Sequence, residues 1–197
     1  MSRKVFDILT STGGVVVVVV LVVAGGLLTW GHSFANSNVH NQLAMQQIYF
    51  PPKAAFAHPK AGTEITPSMI GTVSKYAGQQ VLTGPQAKTY ANDFIAQHLY
   101  NMPYHGVYAK ISSASMASPN NAALTALTNT AFKGTTLRAM LLEAYAFWTI
   151  GQIMLWGAIA SFILAAILAV LVGLGFWHAH QTAEDAQMLR AKAIPVS

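Results

Sequence analysis

Two long apolar stretches dominate the pattern of hydrophobic and polar positions along this chain. The first covers residues 13–31 and contains six consecutive valines, Val15 to Val20. The second covers residues 144–177. A helix that crosses the hydrocarbon core of a bilayer needs about 20 apolar residues. Each stretch is therefore predicted to form a transmembrane helix, and the second is long enough to extend beyond the membrane.

The second stretch is predicted to belong to a long helix over residues 139–177, with the membrane crossing at about residues 153–176. Aromatic residues concentrate at the two interfaces of a bilayer. Phe176 and Trp177 are placed at one interface, and Trp148 or Trp156 near the other. The part of this helix before the crossing is then expected to project out of the lipid and to pack on the intervening domain.

The region between the spans, residues 32–138, shows helical periodicity broken by Pro and Gly, and no run of alternating strand residues. The clearest helix carries apolar residues at positions 87, 90, 91, 94, 95 and 99. Further helices are predicted at residues 39–48, 66–76 and 119–132, with an irregular segment at residues 104–117. Gly134 is expected to end the fourth helix, and Thr135 or Thr136 to cap the long last helix. The predicted fold is an all-α membrane protein, with two transmembrane helices flanking a small helical extracytoplasmic domain.

Composition and charge support a membrane protein and suggest its orientation. The 197 residues are 53% hydrophobic and 9% charged, with a mean hydropathy of +0.42. Arg3 and Lys4 precede the first span, and Arg190 and Lys192 follow the second. Because positive flanks remain in the cytoplasm, both terminal segments, residues 1–12 and 178–197, are predicted to be cytoplasmic in the plasma membrane, with residues 32–138 outside.

A cleaved signal peptide is the alternative interpretation of the first span, since residues 33–35 resemble a small-x-small cleavage site. The apolar stretch is longer than the usual core of a signal peptide, which favours an uncleaved anchor. The net charge of +5 is spread thinly along the chain and predicts no nucleic-acid partner. The sequence contains no cysteine, which excludes disulfides and thiolate metal sites.

Small residues recur at every fourth position of the second span. The set is Gly157, Ser161, Ala165, Ala169 and Gly173. Small residues on one helix face allow another helix to approach closely, which is how packing energy is gained in lipid. This ladder is predicted to be a helix-docking interface. The partner could be the chain's own first span, a second copy or a different subunit.

Two polar residues near the second span are candidate contacts for a partner. Glu143 lies in an otherwise apolar segment ahead of the crossing, just outside the lipid, where pairing with Arg138 or Lys133 would suffice to stabilise its charge. Gln152 is the strongly polar residue nearest to the crossing, where an amide can hydrogen-bond to another helix. A single Glu and a single Gln do not form an ion or proton path across a membrane.

Seven histidines raise the question of a metal site. His98 lies on the apolar face of its predicted helix, and a loop could bring His105 and Asp93 to it. A hydrogen-bonded structural histidine is the more ordinary role for such a residue. His178 and His180 point away from each other on a helix and are expected at the interface. Neither predicted span contains a histidine, so no haem or other cofactor is predicted.

The sequence also lacks the short catalytic motifs of hydrolases, metalloproteases, phosphate-binding loops and dinucleotide-binding folds. With six acidic residues in the whole chain, there is little material for paired-carboxylate chemistry. No catalytic residues are predicted, and the protein is expected not to be an enzyme.

Three segments carry a resemblance to a known family. They are SNVHNQLAMQQIYFPPKAAFAHPKAGTEITPSMI at residues 37–70, YAGQQVLTGPQAKTYANDFIAQHL at residues 76–99, and FKGTTLRAMLLEAYAFWTIGQI at residues 132–153. The chain resembles a family of actinobacterial two-span membrane proteins, some of which carry the label "aromatic ring-opening dioxygenase LigA". The resemblance implies the two-span topology and a bacterial origin. It implies no active-site residues, because the sequence shows no constellation of iron ligands.

Three functional hypotheses follow from these patterns. The first is a non-catalytic accessory subunit of a larger integral membrane complex, of a respiratory or envelope-transport type, that docks through the second span and the external domain. The second is a homo-oligomeric membrane scaffold in which the ladder packs on itself. The third is a metal-dependent membrane enzyme that uses His98, His105 and Asp93.

Overall fold

Two long helices account for more than half of the described chain. In a computed structural model, which describes residues 3–182, helix α1 is Arg3–Gln46 and helix α5 is Ala122–Gln181. They contain 44 and 60 residues, and both are long and apolar enough to cross a membrane. Within the described residues the regular structure is helical, with a single antiparallel bridge between Tyr49 and Gln80. The all-helical prediction with two long apolar helices is confirmed.

Short helices fill the region between α1 and α5. Helix α2 is Gly84–Thr89, α3 is Ala96–Tyr100 and α4 is Tyr108–Ala117, and the π-helical turn Tyr90–Ile95 joins α2 to α3. Four 3-10 turns lie in the connections: Lys53–Phe56, Pro67–Met69, Ser74–Tyr76 and Pro103–Gly106. Arg190 and Lys192, on which the predicted position of the C-terminal tail depends, lie outside the described residues.

The predicted helix over residues 87–99 is confirmed, although a π turn interrupts it. A capping box fixes its start: Thr83 Oγ1 accepts from the Gln86 backbone N–H at 3.4 Å, and Gln86 Oε1 accepts from the Thr83 N–H at 3.1 Å. This pair satisfies two backbone donors that the first turn leaves unbonded. The helix that carries His98 and Asp93 therefore begins at Gly84, earlier than its apolar pattern indicates.

Two breaks predicted within the long helices are wrong. The segment predicted as a separate helix at residues 39–48 is the end of α1, because Asn36, Ser37 and Asn38 are weak helix formers rather than breakers. Gly134 lies inside α5 and does not end a helix. A Cβ at Gly134 would come within 2.8 Å of Leu99 Cδ2, so this glycine provides room for Leu99.

Two further expectations for the middle region are corrected. The helix predicted at residues 66–76 consists of two 3-10 turns, separated by Gly71 in the left-handed region at φ 84°. Residues 104–117, predicted to be irregular, include α4. Ile111 is the fully buried residue of α4. Because its neighbours are mostly Ser and Ala, the segment shows little hydrophobic periodicity in the sequence.

Clustering of contacts divides the chain into two units. The helix-pair unit comprises the described residues up to His32 and from Ile153 onward, and the core unit is Ser33–Gln152. The core unit buries large apolar side chains from α1, the connecting turns, α2, the π turn and α5. Its cluster contains Val39, Leu43, Phe50, Ile65, Met69, Val73, Val81, Ala87, Ala91, Ile95 and Leu141. The Phe50 ring lies 5.2 Å from the rings of both Tyr76 and Tyr90, which anchors the turns to the π segment.

Candidate docking surfaces

Helices α1 and α5 pack against each other in the helix-pair unit, and close contacts at glycines show their direction. A Cβ added at Gly175 would meet Ser11, and one at Gly14 would meet Val172. At the other end of the unit, a Cβ at Gly157 would lie 3.2 Å from Leu28 Cδ1. Because residue numbers rise along α1 as they fall along α5, the two helices are antiparallel.

The side of α5 that faces α1 follows a spacing of three and four residues. The buried or half-buried positions of this seam are Ala158, Ser161, Ala165, Leu168, Val172, Gly175 and Ala179. Ala158 and Ala165 are only 2% and 4% exposed. Alternating steps of three and four average 3.5 residues, the period that keeps two supercoiled helices in contact along their length. Small side chains on this seam allow the backbones to approach closely.

The ladder at every fourth residue is distributed over more than one face of α5. Each step of four residues advances about 40° around an α-helix, so four steps rotate by roughly 160°. Ser161 and Ala165 face α1, and Gly157 is half-buried beside Leu28. Ala169 and Gly173 are exposed. Part of the ladder thus packs on the chain's own first long helix, and its last two positions remain uncovered.

Large apolar side chains cover the outer surface of the helix-pair unit. Each long helix contains an 18-residue apolar stretch of which only 11% is buried. Exposed members on α5 include Ile163, Leu164, Ile167, Val170 and Leu171, each at least 55% exposed. The core helix of a water-soluble protein would bury such residues. This surface is apolar throughout the middle of the unit.

A carboxylate and an imidazole meet near one end of the helix pair, which the sequence did not indicate because 171 positions separate them. His178 Nε2 lies 3.8 Å from Asp7 Oδ2, a buried oxygen that makes no hydrogen bond within the described residues. The His178 side chain is 55% exposed and that of Asp7 is 19% exposed. His178 is therefore an ion-pairing candidate between α1 and α5.

The core unit carries a groove of about 410 Å³ between the end of α1 and α5. Its floor contains Val39 and Leu43 from α1, and Leu137 and Leu141 from α5. The remaining lining residues form two walls: Asn38, Gln42 and Gln46 on α1, and Met140, Glu143, Ala144 and Phe147 on α5. An apolar floor with a few polar groups on its rim is typical of a binding site.

Glu143, predicted as a polar contact, is exposed on the wall of this groove. Among the described residues, no ion pair joins Glu143 to Arg138 or Lys133. Arg138 Nη2 instead donates to Asn92 Oδ1 at 2.9 Å, because the π turn carries the Asn92 amide to α5. Gln152 is half-buried at the last position of the core unit.

The structure does not bring the three candidate metal ligands together. His98 Nδ1 lies 2.7 Å from the Phe94 carbonyl oxygen, one turn earlier on the same helix. His105 Nδ1 lies 3.3 Å from the Tyr100 carbonyl oxygen, and its ring stacks on that of Tyr100. Within residues 3–182, no group of three His, Cys, Asp or Glu side chains is arranged to hold a metal ion. The His98 imidazole is thus engaged by the backbone of its own helix.

No protein-family model, curated protein or solved structure matches this chain. Its described residues define an all-helical protein with two helices long and apolar enough to cross a membrane. Two surfaces of this protein are candidates for docking. They are the uncovered ladder positions Ala169 and Gly173 in the helix-pair unit, and the groove beside Glu143 in the core unit.

Proposed function

We propose that this protein is an accessory, non-catalytic subunit of a larger integral membrane assembly. Helices α1 and α5 cross the plasma membrane as an antiparallel pair, and both termini lie in the cytoplasm. The core unit lies on the other side and takes part in docking to the partner subunits.

The observation that carries the proposal is the apolar outer surface of the helix-pair unit. Large aliphatic side chains point outward, while five of the seven seam positions on α5 are Ala, Ser or Gly. In water this arrangement would expose an apolar surface far larger than a typical soluble monomer tolerates. In lipid the large side chains are solvated by acyl chains, and helix association depends on close packing of small residues. The distribution of large and small residues therefore suits a bilayer.

Uncovered small residues on the same surface support a partner subunit. Ala169 and Gly173 lie on the flank of α5, and a Cβ added at Gly173 would meet nothing within 4 Å. Gly13 and Gly26 on α1 are equally open. A third helix could approach the pair closely at these positions.

The proposal is tested by the mass and composition of the native particle after gentle solubilisation. Foreign membrane subunits in stoichiometric amounts are expected beside the 21.0 kDa chain. The double substitution Ala169→Leu and Gly173→Leu is expected to release these subunits, because leucine side chains fill the space that a third helix would occupy.

Ala160→Leu is the matched control, since Ala160 is exposed on α5 and lies about 180° around the helix from Ala169. It is expected to keep the assembly intact. A particle that contains only multiples of 21.0 kDa would instead make the protein a homo-oligomeric scaffold. A monomer in its native membrane would contradict both functions.

A further inference from the structure

An open recess of about 490 Å³ lies at the end of the helix-pair unit where α1 begins and α5 ends. Its lining residues come from both helices: Lys4, Ile8, Phe176, Trp177, Ala179 and His180. On each helix the lining includes two residues that are four positions apart, so each helix contributes one face to the recess. All six residues belong to the helix-pair unit.

The recess is apolar toward the middle of the two helices and basic toward their ends. Ile8 and Phe176 line the inner part, and their side chains are 41% and 40% exposed. Lys4 and His180 line the outer part, because each lies four residues closer to the end of its helix in the antiparallel pair. Four residues correspond to a rise of about 6 Å. The lining therefore changes from apolar to basic within little more than one helical turn.

The basic part of the recess has the chemistry to bind a phosphate. The Lys4 ammonium carries three hydrogen-bond donors, and the His180 ring has at least one N–H in either protonation state. Among the described residues, no carboxylate lines this recess. Asp7, the acidic residue nearest to Lys4 in the chain, lines a separate recess, where its Oδ2 lies 3.8 Å from His178 Nε2. The lining thus complements a negative charge.

Trp177 gives the recess the character of a membrane interface. Its side chain is 63% exposed and combines an apolar ring with an N–H donor. Trp side chains concentrate at the level of the lipid headgroups. In the topology proposed above, this end of the helix pair lies at the cytoplasmic face, where anionic lipids give the membrane a negative surface potential.

We propose that this recess binds the headgroup of one anionic phospholipid. Lys4 and His180 donate hydrogen bonds to the phosphate oxygens, and the start of an acyl chain packs on Ile8 and Phe176. The apolar inner part favours a lipid over a free phosphate ion, because an ion would leave that surface without a contact. This inference rests on the membrane crossing proposed above, and it adds a ligand that the chain binds without a partner subunit.

Native mass spectrometry of the full chain, purified in a non-ionic detergent, tests the proposal. The probes are phosphatidylglycerol, phosphatidylcholine with the same acyl chains, and inorganic phosphate. One phosphatidylglycerol is expected to bind each chain, and to bind more tightly than phosphatidylcholine, whose choline cation opposes Lys4. Inorganic phosphate at the same concentration is expected not to displace the lipid.

Substitutions at the recess locate the bound lipid. Lys4→Gln is expected to lower the affinity for phosphatidylglycerol about fivefold, since it removes one cation from the site. Lys4→Arg should retain the affinity, and His180→Ala should lower it less than Lys4→Gln does. Arg3→Gln is the matched control, because Arg3 is exposed, carries the same charge and does not line the recess. Circular dichroism should show the wild-type helix content in each variant, since all three positions lie in terminal turns.

Three results would overturn the lipid site. Equal losses of affinity in Lys4→Gln and Arg3→Gln would show that the lipid responds to net charge alone. Equal binding of the two lipids would remove the selectivity for an anion, and displacement by inorganic phosphate would make the recess a site for a free ion.

Alkaline carbonate extraction of native membranes tests the membrane crossing separately. A chain that stays with the membranes but shows no preference for phosphatidylglycerol would refute the recess and leave the crossing intact. A chain that is extracted would refute both. The accessory function has its own test, because foreign subunits are sought in the native particle and lipid binding is measured on the purified chain.

Discussion

The two units of this protein distribute apolar side chains in opposite ways. In the core unit large side chains such as Phe50, Met69 and Ile111 are fully buried, together with small ones such as Ala87 and Ala91. In the helix-pair unit the buried residues are small, such as Ala158 and Ala165, and large aliphatic residues lie outside. The first distribution is that of a domain folded in water, and the second suits the bilayer proposed for the helix pair.

This difference shows that burial alone does not define the stabilising residues of the molecule. In the core unit, stability comes from removing large apolar surface from water. In the proposed bilayer, the outer surface of the helix-pair unit would gain nothing from association, and its stability would come from the close approach of two backbones. A change in side-chain volume should therefore act in opposite directions in the two units.

The strongest test of the contrast is Phe50→Ala in the core unit. Phe50 is 2% exposed and contacts two tyrosine rings, so its truncation should destabilise the core unit by about 3–5 kcal/mol. Hydrogen exchange of amides at residues 84–100 in the full chain measures this loss. Tyr49→Ala is the neighbouring control, because Tyr49 is 57% exposed. Equal protection in the two variants would contradict a core centred on Phe50.

Enlarging a residue should be the damaging change in the helix-pair unit. Ala165→Leu is expected to cost about 1–3 kcal/mol, because the added atoms force the two helices apart. A Ser11→Cys and Gly175→Cys pair reports the separation, since a Cβ at Gly175 lies 3.6 Å from Ser11 Cβ, within disulfide range. The chain has no other cysteine.

The disulfide should form readily in the otherwise unchanged chain and poorly with Ala165→Leu. Ala160→Leu, on the exposed side of α5, should leave it unaffected. Efficient disulfide formation with Ala165→Leu would show that the seam tolerates large residues and that small size is not what holds it together.

A smaller effect on stability is expected at the start of α2, where the substitution removes a polar helix cap and changes little apolar volume. Thr83→Ala removes the hydroxyl of the capping box and should destabilise the core unit by about 1 kcal/mol. Thr83→Ser keeps the acceptor and should remain close to wild type. The full chain is denatured chemically in detergent, and unfolding is monitored by hydrogen exchange of the amides at residues 84–100. This measurement distinguishes Thr83→Ala from Thr83→Ser. Similar losses in both variants would assign the effect to the Thr methyl group.

The smallest effect concerns pH. Burial raises the pKa of Tyr90 above 10.0, and the nearby Glu64 carboxylate adds to the shift. The folded state therefore holds the phenol proton more tightly than the unfolded chain does, so this contribution is complete below pH 10 and is lost as pH rises through the raised pKa. The unfolding free energy of the core unit should fall above pH 10, and Tyr90→Phe should flatten that part of the curve. If Tyr90→Phe leaves the slope of the unfolding free energy above pH 10 unchanged, the Tyr90 hydroxyl is exposed to water in the folded state.

Hydrophobic periodicity was sufficient to predict the two long helices and the helix containing His98. It did not predict that α1 continues through residues 36–38 or that α5 continues through Gly134, because these positions resemble stop signals when their tertiary contacts are unknown. Helix propensities differ by about a few tenths to one kcal/mol per residue, so tertiary contacts can override them.

The candidate sites were predictable only where a residue is conspicuous on its own. Glu143 was singled out as an acid in an apolar segment, but its groove is formed with α1 residues about 100 positions away. The Asn92–Arg138 hydrogen bond and the approach of Asp7 to His178 join positions with no common sequence pattern. Such pairings depend on the mutual arrangement of elements, which periodicity does not encode.

The core unit combines residues from both ends of its sequence, which constrains when its core can form during synthesis. Its apolar cluster combines Val39 and Leu43, near the start of the unit, with Leu141, near its end. The turns and α2 therefore leave the ribosome without the residue that completes their core. Because contacts between distant segments carry a high entropic cost, closure of the core is expected to be late and slow. A chain arrested before residue 141 would present an incomplete apolar cluster to chaperones and proteases.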